Sequence, residues 1–156
     1  MNLARRGATR SAVDSSLPGW YNVFMPDRYR HNKGSLTSIR YHVIWIPRRR
    51  RKALVGDVAK RLIALLREKA AEIDVTMMRL AVEPDQIHLF LDCPQHLAIS
   101  QIVFRLKGYT SSILRKEFEH LRRMPSMWTT SYFASTAGAV SEQTIAKYIN
   151  SQGTRD

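Results

Sequence analysis

Apolar residues along this chain alternate between short strand-like runs and longer stripes with helical spacing. Residues 39–46 (IRYHVIWI) combine β-branched and aromatic side chains with no breaker before Pro47, which predicts a strand. Across residues 54–73, apolar side chains recur every three or four positions, which predicts an amphipathic helix. A second helical stripe covers residues 98–120, with Gly108 as its weakest position.

Three further strands and a last helix complete the predicted order. Residues 75–82 and 86–92 are apolar segments joined by a three-residue turn, so we expect a hairpin. Residues 128–136 form a fourth strand region, and Ser141 suits the N-cap of a last helix through residues 144–150. This order predicts an α+β domain of the ferredoxin-like or RRM-like split β-α-β type. Such a domain has a mostly antiparallel sheet, helices on one face and, here, an extra C-terminal helix.

The excess of positive charge makes this α+β domain a candidate nucleic-acid-binding protein. The 156 residues include 25 Lys and Arg against 13 Asp and Glu, a net charge of +12, and the pI is near 10.4. Part of the excess is one unbroken basic run, which consists of Arg48, Arg49, Arg50, Arg51 and Lys52. A run of this kind is typical of a solvated loop that contacts phosphates rather than bases.

The amino-terminal part of the chain differs in composition from the rest. Residues 1–34 are rich in Arg, Ser, Gly, Pro and Asn and lack the apolar core of a secretory signal, so we interpret them as a flexible basic arm. No apolar run reaches the length that a membrane span requires.

The single cysteine, Cys93, cannot form an internal disulfide, which favours a cytoplasmic protein. We expect Cys93 to be a half-buried small hydrophobe rather than a nucleophile.

Polar side chains with catalytic chemistry interrupt the third strand and the last helix. Gln86 and His88 are two residues apart and therefore share one face of a strand. Tyr148 and Gln152 are four residues apart and would share one face of a helix. A tyrosine can attack a DNA phosphodiester when a cation neutralises the phosphate, and imidazole and amide oxygens can hold Mg²⁺ or Mn²⁺. The alternative is a core histidine and an amphipathic tyrosine packed on the sheet.

Four segments of the chain carry a resemblance to a known family. They are YHVIWIPRRRRKAL at residues 41–54, AVEPDQIHLFL at 81–91, FRLKGYTSSILRKEF at 104–118, and MWTTSYFASTAGAVSEQTIAKYINSQ at 127–152. With these segments the sequence resembles the TnpA group, the HUH single-tyrosine transposases of small bacterial and archaeal insertion sequences that move as single-stranded DNA. The resemblance covers residues 28–153, which we take as one HUH transposase domain, and leaves residues 1–27 as the arm.

The resemblance implies an activity and a set of site residues. In the family, two histidines of the strand and the glutamine of the tyrosine helix bind a divalent metal. The tyrosine attacks single-stranded DNA and leaves a 5′-phosphotyrosine and a free 3′-hydroxyl, which later rejoins the strands. Carried over to this chain, Tyr148 is the nucleophile, and His88 and Gln152 are ligands of Mg²⁺ or Mn²⁺.

The resemblance also implies partners. Members of the family are homodimers in which the tyrosine helix of one subunit can serve the metal site of the other, and they recognise imperfect hairpins near the ends of the element. The basic run of residues 48–52 is then a candidate DNA contact, together with three residues of the second helix: Arg105, Lys107 and Arg115. The expected compartment is a bacterial or archaeal cytoplasm, at the nucleoid when the protein is bound to DNA.

One position departs from the family pattern at the metal site. Gln86 stands where the family has the first histidine of the HUH triplet, and its neutral oxygen suits Mg²⁺. Three interpretations stay open: a working ligand, a decayed site that binds DNA without cutting it, or a substitution that traps a complex. Ser131 is a smaller departure, because many members have glycine there. Tyr109 and Tyr132 are rival tyrosines without a glutamine four residues on, and we interpret them as structural or DNA-stacking residues.

Three functions are therefore to be distinguished. The first is a metal-dependent single-strand DNA transposase, indicated by Tyr148 with Gln152 and by His88. The second is a catalytically decayed or domesticated dimeric protein that binds DNA hairpins, indicated by Gln86. The third is an RRM-type RNA-binding protein, whose central strands would need exposed aromatic residues. The strand of residues 86–92 offers one phenylalanine, so the sequence disfavours this third function.

Overall fold

The computed structural model describes residues 29–136 and 148–151, and its centre is a four-stranded antiparallel sheet. The sheet order is β4-β5-β3-β6, and a separate hairpin is formed by β1 and β2. This order, with β3 and β5 in the middle, is that of the split β-α-β fold and confirms the predicted α+β class. Residues 148–151 are helical. The other elements are β1 (Arg30–Asn32), β2 (Ser35–Thr37), β3 (Arg40–Trp45), α1 (Gly56–Glu72), β4 (Thr76–Glu83), β5 (Gln86–Asp92), α2 (Ile99–Glu117), α3 (Glu119–Arg122) and β6 (Phe133–Ser135).

The two faces of the sheet bury different groups of side chains. On one face, alternate residues of β3 and β5 form the main core with α1 and α2, among them the fully buried Trp45 and Leu89. On the other face, Ile44 and Ile46 pack with Ile149. Because neighbouring residues of a strand point to opposite faces, the strands that build the core also present a second surface.

The helix predictions hold over most of their length. The buried positions of α1 follow the predicted stripe, and Gly108 does not interrupt α2. The predicted end of the second helix was wrong, because α2 stops at Glu117. Phe118 has an extended backbone (φ −117°, ψ 108°) and packs against the main core, and α3 follows it.

The fourth strand is much shorter than predicted. β6 has three residues, and it is preceded by an isolated bridge between Trp128 and Pro47. In the intervening segment, Nζ of Lys107 donates to the carbonyl oxygens of Thr129 and Ser131. These carbonyls bond to a side chain from α2 instead of a neighbouring strand, which explains why the ladder does not extend through them.

The hairpin of β1 and β2 corrects the interpretation of residues 1–34 as an arm. The guanidinium of Arg30 donates to Oδ1 of Asp92 at 2.5 Å and to the main-chain oxygen of Asp92 at 3.0 Å. This pairing ties the hairpin to the end of β5, so residues 30–34 belong to the folded domain. Residues 1–27 lie outside the part of the chain that the structure describes.

Two expectations from composition concern membranes and Cys93. Among the residues described, no helix combines the length and the apolar character needed to cross a bilayer. Cys93 is fully buried in the main core, deeper than the half-buried position we expected. Burial, together with the carboxylate of Asp92, raises the pKa of the Cys93 thiol to about 12. A thiol that keeps its proton at neutral pH is a packing residue, as predicted, and not a nucleophile.

Candidate active site on the second face of the sheet

Gln86 and His88 lie on the face of the sheet opposite α1 and α2. His88 is buried, and in the register of the sheet it lies between Ile44 of β3 and Ala81 of β4. Gln86 is half-buried at the start of β5 and faces Glu83 across the hairpin. The strand therefore presents the two side chains side by side, as their spacing predicted.

A neighbouring carboxylate orients the amide of Gln86. Nε2 of Gln86 donates a hydrogen bond to Oε2 of Glu83. Because an ionised carboxylate can only accept, the NH₂ group must face it, and the carbonyl oxygen Oε1 lies on the other side of the amide. Oε1 is buried and accepts no hydrogen bond from the residues described. A buried oxygen of this kind has the chemistry of a ligand for a hard cation.

A second imidazole, that of His42, lies beside His88, and it was not among the site residues predicted from the sequence. The ring centroids are 6.2 Å apart, the ring planes differ by 26°, and His42 is fully buried. The signal that could have found it is the alternation along β3. His42 is two residues from Ile44 and three from Trp45, so it shares the face of Ile44 and not the core face.

Burial keeps both imidazoles neutral near pH 7. Loss of solvent, together with the nearby His88, lowers the pKa of His42 to about 4. Burial also lowers the pKa of His88, against the opposing effect of the Glu83 and Asp85 carboxylates. A neutral imidazole has a nitrogen lone pair, so this state is the one that a metal ion requires.

Tyr148 lies on the same face, within the helical residues 148–151. Its ring centroid is 5.8 Å from that of Phe133 in β6, and its hydroxyl is 3.4 Å from the hydroxyl of Ser131. The next residue, Ile149, is 3% exposed and packs against the isoleucines at the end of β3. The sequence-predicted nucleophile and the imidazole of His88 thus belong to one surface of the sheet.

The third predicted metal ligand, Gln152, lies outside the described residues. Within those residues, no group of three His, Cys, Asp or Glu side chains is placed to hold a metal ion. The donors that are present, Oε1 of Gln86 and the imidazole of His88, suit Mg²⁺ or Mn²⁺ when water and substrate oxygens complete the coordination. They fit such an ion as part of a site and need at least one further ligand.

The basic run of residues 48–52 is an exposed turn, and its first three residues form a 3₁₀ helix. Two consecutive residues, Arg49 and Arg50, have φ values of 56° and 53°, in the left-handed region. A pocket of about 50 Å³ lies against the turn and is lined by Arg48, Arg49, Arg51, Met124 and Pro125. The exposed arginines of the turn, rather than this pocket, are the groups suited to contact phosphates.

Arg50 connects this turn to both parts of the candidate site. Its Nε donates to Oδ2 of Asp85 at 2.8 Å, and its Nη1 donates to Oδ1 of Asn150 at 2.9 Å. Asp85 directly precedes Gln86, and Asn150 follows Tyr148 by two residues. The basic turn therefore lies at the Gln86 end of the sheet.

The three basic residues predicted on the second helix differ in their surroundings. Arg105 is exposed on α2. Lys107 is half-buried, and its ammonium group donates to main-chain carbonyls of the segment before β6. Nη2 of Arg115 donates to the carbonyl oxygens of Arg122 at 3.3 Å and Met124 at 2.8 Å. Arg105 is the best placed of the three for a DNA contact, because the side chains of Lys107 and Arg115 donate hydrogen bonds to main-chain carbonyls.

The rival tyrosines lie on the helix side of the sheet. The hydroxyl of Tyr109 donates to a carboxylate oxygen of Glu68 in α1, and its ring packs against the main core. Tyr132 also packs against the main core. Of these three tyrosines, Tyr148 is the one on the face of His88.

The split β-α-β sheet agrees with the fold expected from the resemblance to the single-tyrosine transposases. The family model described as "Transposase IS200 like" matches residues 35–152. The chain belongs to this IS200-like transposase family, which confirms the resemblance seen in the sequence. Transposases are enzymes that cleave DNA and transfer its strands, and the chain is a member of this class.

Individual relatives agree with this assignment. The chain is 31% identical to the ISDra2 transposase TnpA of Deinococcus radiodurans. The aligned 133 residues cover 83% of this chain and 95% of the relative. It is 28% identical over 116 residues to the transposase for insertion sequence element IS200 of Salmonella typhimurium, with coverage of 72% and 76%. A crystal structure of a transposase from Deinococcus radiodurans R1 superposes with a TM-score of 0.71 at 32% identity, over 79% of this chain and 97% of that one.

Proposed function

We propose that this transposase cleaves and rejoins single-stranded DNA at hairpin-bearing insertion-sequence ends through a 5′-phosphotyrosine intermediate, and that it depends on a divalent metal. The observation that carries the proposal is the shared surface of Tyr148, His88 and Gln86 on the second face of the sheet. Membership of the IS200-like family supports the enzyme class. In this proposal, residues 28–153 form the single catalytic domain and residues 1–27 a basic arm.

The proposed metal site uses Gln86 and His88, with Gln152 carried over from the sequence. Gln86 is a working ligand rather than a lesion, because Glu83 holds its NH₂ group and leaves the buried Oε1 for a cation. The neutral imidazole of His88 supplies a nitrogen lone pair. When bound, Mg²⁺ or Mn²⁺ would neutralise charge on the scissile phosphate.

Tyr148 supplies the oxygen that attacks the DNA. A bond forms between the phenol oxygen and phosphorus, and the bond from phosphorus to the 3′-oxygen breaks. The phenol loses its proton, and the departing 3′-oxygen takes one up to become a free hydroxyl. Rejoining is the reverse displacement, in which a 3′-hydroxyl attacks phosphorus and releases the tyrosine. The packing of the Tyr148 ring on Phe133 orients the phenol for both steps.

The basic turn of residues 48–52 is the proposed contact for DNA phosphates, extended by Arg105 on α2 and, more weakly, by Lys107 and Arg115. Replacing Arg49 and Arg51 with alanine should weaken hairpin binding whatever its sequence. The slope of log affinity against log salt should fall by roughly one for each phosphate that the protein no longer neutralises. An unchanged slope would remove this turn from the DNA interface.

The proposal includes a cytoplasmic homodimer in which the tyrosine helix can be exchanged between subunits. The second candidate function is a dimeric hairpin-binding protein without chemistry, and the specific observation in its favour is Gln86 in place of the first HUH histidine. The two functions predict the same DNA affinity, so they must be distinguished by covalent chemistry.

The decisive experiment is an adduct assay on a denaturing gel. Purified protein is mixed with a single-stranded hairpin oligonucleotide from the end of the element, with Mg²⁺, with Mn²⁺, or with EDTA. We expect a metal-dependent protein–DNA band that disappears in Tyr148→Phe. Tyr109→Phe is the matched control, since it removes the same hydroxyl from the opposite side of the sheet, and it should retain the band.

The alternative outcomes are equally informative. Hairpin binding without a covalent band would establish the binding-only function. If Gln86→His then restored the band, Gln86 would be the lesion. A band that persists in Tyr148→Phe would assign the nucleophile to another residue.

A further inference from the structure

The side chain of Arg50 joins three segments that are distant in sequence. It belongs to the basic turn, it donates to Asp85 in the turn before Gln86, and it donates to Asn150 in the segment of residues 148–151. A guanidinium group has several donors in one rigid plane, so it can hold two acceptors in a fixed relative position. Arg50 therefore links the helical segment to the turn before the strand that carries Gln86.

The backbone of the turn is bent in a way that presents this side chain. Arg49 and Arg50 both have positive φ, a conformation that is unfavourable for residues with a Cβ. The main-chain N–H of Arg50 donates to the carbonyl of Pro47 at 2.9 Å, and that of Arg51 donates to the carbonyl of Arg48 at 3.3 Å. Unfavourable backbone angles that persist in a folded protein point to a role for the residues that adopt them.

The helical segment also contacts the sheet through apolar side chains and through the hydroxyl of Tyr148, which lies 3.4 Å from the hydroxyl of Ser131. Ile149 is buried against the β3 isoleucines, and the ring of Tyr148 leans on Phe133. Apolar contacts hold the segment on the sheet, but they are non-directional and fix its rotation poorly. The hydrogen bond from Arg50 to Asn150 is directional, and it acts two residues from the tyrosine hydroxyl that must be aimed.

We propose that Arg50 is a positioning residue that docks the tyrosine segment onto the Gln86 end of the sheet, in addition to any contact with DNA. This inference rests on the proposed function, because it assigns Arg50 the task of setting where the hydroxyl of Tyr148 lies. The carboxylate of Asp85 and the side-chain oxygen of Asn150 each accept a hydrogen bond from the guanidinium group of Arg50.

The first test needs neither DNA nor metal. Hydrogen–deuterium exchange is followed over residues 148–151 in wild type, Arg50→Lys, Asn150→Ala and the double variant. Lysine keeps the charge but cannot reach both acceptors with one planar group. We expect roughly three- to tenfold faster exchange in each single variant, the range that follows from losing one hydrogen bond. The double variant should exchange no faster than either single one. Arg51→Lys, a neighbour in the same turn, is the control and should leave this exchange unchanged.

The second test separates positioning from DNA affinity. Asn150 is not among the proposed DNA contacts, so Asn150→Ala should bind the hairpin with wild-type affinity. At saturating hairpin it should form the phosphotyrosine adduct several-fold more slowly, because the tyrosine is held less well.

The outcomes distinguish this inference from the proposed chemistry. Unchanged exchange in both Arg50→Lys and Asn150→Ala would overturn the positioning role, whatever the activity. A normal adduct rate in Asn150→Ala at saturating hairpin would overturn it as well. Faster exchange in a protein that forms no adduct would leave the docking contact established and refute the chemistry instead.

Discussion

The burial of His42 on the second face of the sheet predicts that the protein loses stability in mild acid. The pKa of His42 is about 4 in the folded chain and about 6.5 in the unfolded chain. Because the folded value is the lower one, protonation favours the unfolded chain. The stability that neutral His42 contributes is complete above pH 6.5 and is lost as the pH falls from 6.5 towards 4.

The size of this loss follows from the difference between the two pKa values. At pH 5 the unfolded chain is almost fully protonated at this position and the folded chain hardly at all. The linkage relation then gives a loss of about 2 kcal/mol between pH 8 and pH 5, rising to about 3.4 kcal/mol well below pH 4. His88 titrates in the same direction, so wild type should lose more than His42 alone explains.

The assay is urea unfolding at pH 8, 6.5 and 5 in EDTA, followed by tryptophan fluorescence. His42→Gln removes the titrating group, and the difference between wild type and variant isolates its contribution. We expect wild type to lose about 2 kcal/mol more than His42→Gln between pH 8 and pH 5. His96→Gln, which removes an exposed imidazole, is the control. Equal losses in wild type and His42→Gln would refute the claim that a buried neutral histidine lies beside His88.

Three further predictions concern the metal site and the core. Glu83→Gln should weaken Mn²⁺ binding roughly tenfold, measured by calorimetry, because the amide of Gln86 loses the carboxylate that orients it. Asp92→Asn should lower the free energy of unfolding by about 2–3 kcal/mol, somewhat less than for a fully buried ion pair, because two partly buried arginines lose their common partner. Cys93 should react with a thiol reagent at pH 8 only in the unfolded chain, since burial raises its pKa to about 12.

One variant controls for charge in the first two of these experiments. Glu119→Gln removes a carboxylate from an exposed i,i+4 pair and should change neither Mn²⁺ affinity nor stability by more than a few tenths of a kcal/mol. A Glu83→Gln protein that binds Mn²⁺ like wild type would show that Gln86 needs no orienting partner. An Asp92→Asn protein of wild-type stability would show that the hairpin is held by other contacts. Labelling of native Cys93 within seconds would contradict its place in the core.

The fold could be predicted because its periodicities are local. The alternation of strands and the three-to-four spacing of helices depend on neighbouring residues, and they indicated the order of elements and the core face of each helix. The length of β6 could not be predicted in this way. It is limited by Lys107, whose ammonium group binds carbonyls 22 and 24 residues further along the chain. A long-range bond between a side chain and the backbone leaves no periodic signal.

The candidate site could also be predicted only where its residues are close together in the sequence. Spacing alone placed Gln86 and His88 on one face, because residues that are two positions apart on a strand point to the same side of the sheet. His42 was missed because its partner is on another strand, and strand pairing is not visible in one segment. The double hydrogen bond of Arg50 spans 35 and 100 residues, so the sequence showed a basic run but not a side chain bonded to both Asp85 and Asn150.

The pairing of Arg30 with Asp92 fixes the hairpin of β1 and β2 at the far end of β5. Asp92 is the last residue of β5 and Gln86 is the first, and six steps along a strand correspond to about 20 Å. A fluorescent reporter or an affinity handle attached at position 29 would therefore be tethered far from the Gln86 end of the sheet. Surface immobilisation through this position is the arrangement we would choose for single-molecule observation of the protein on a DNA hairpin.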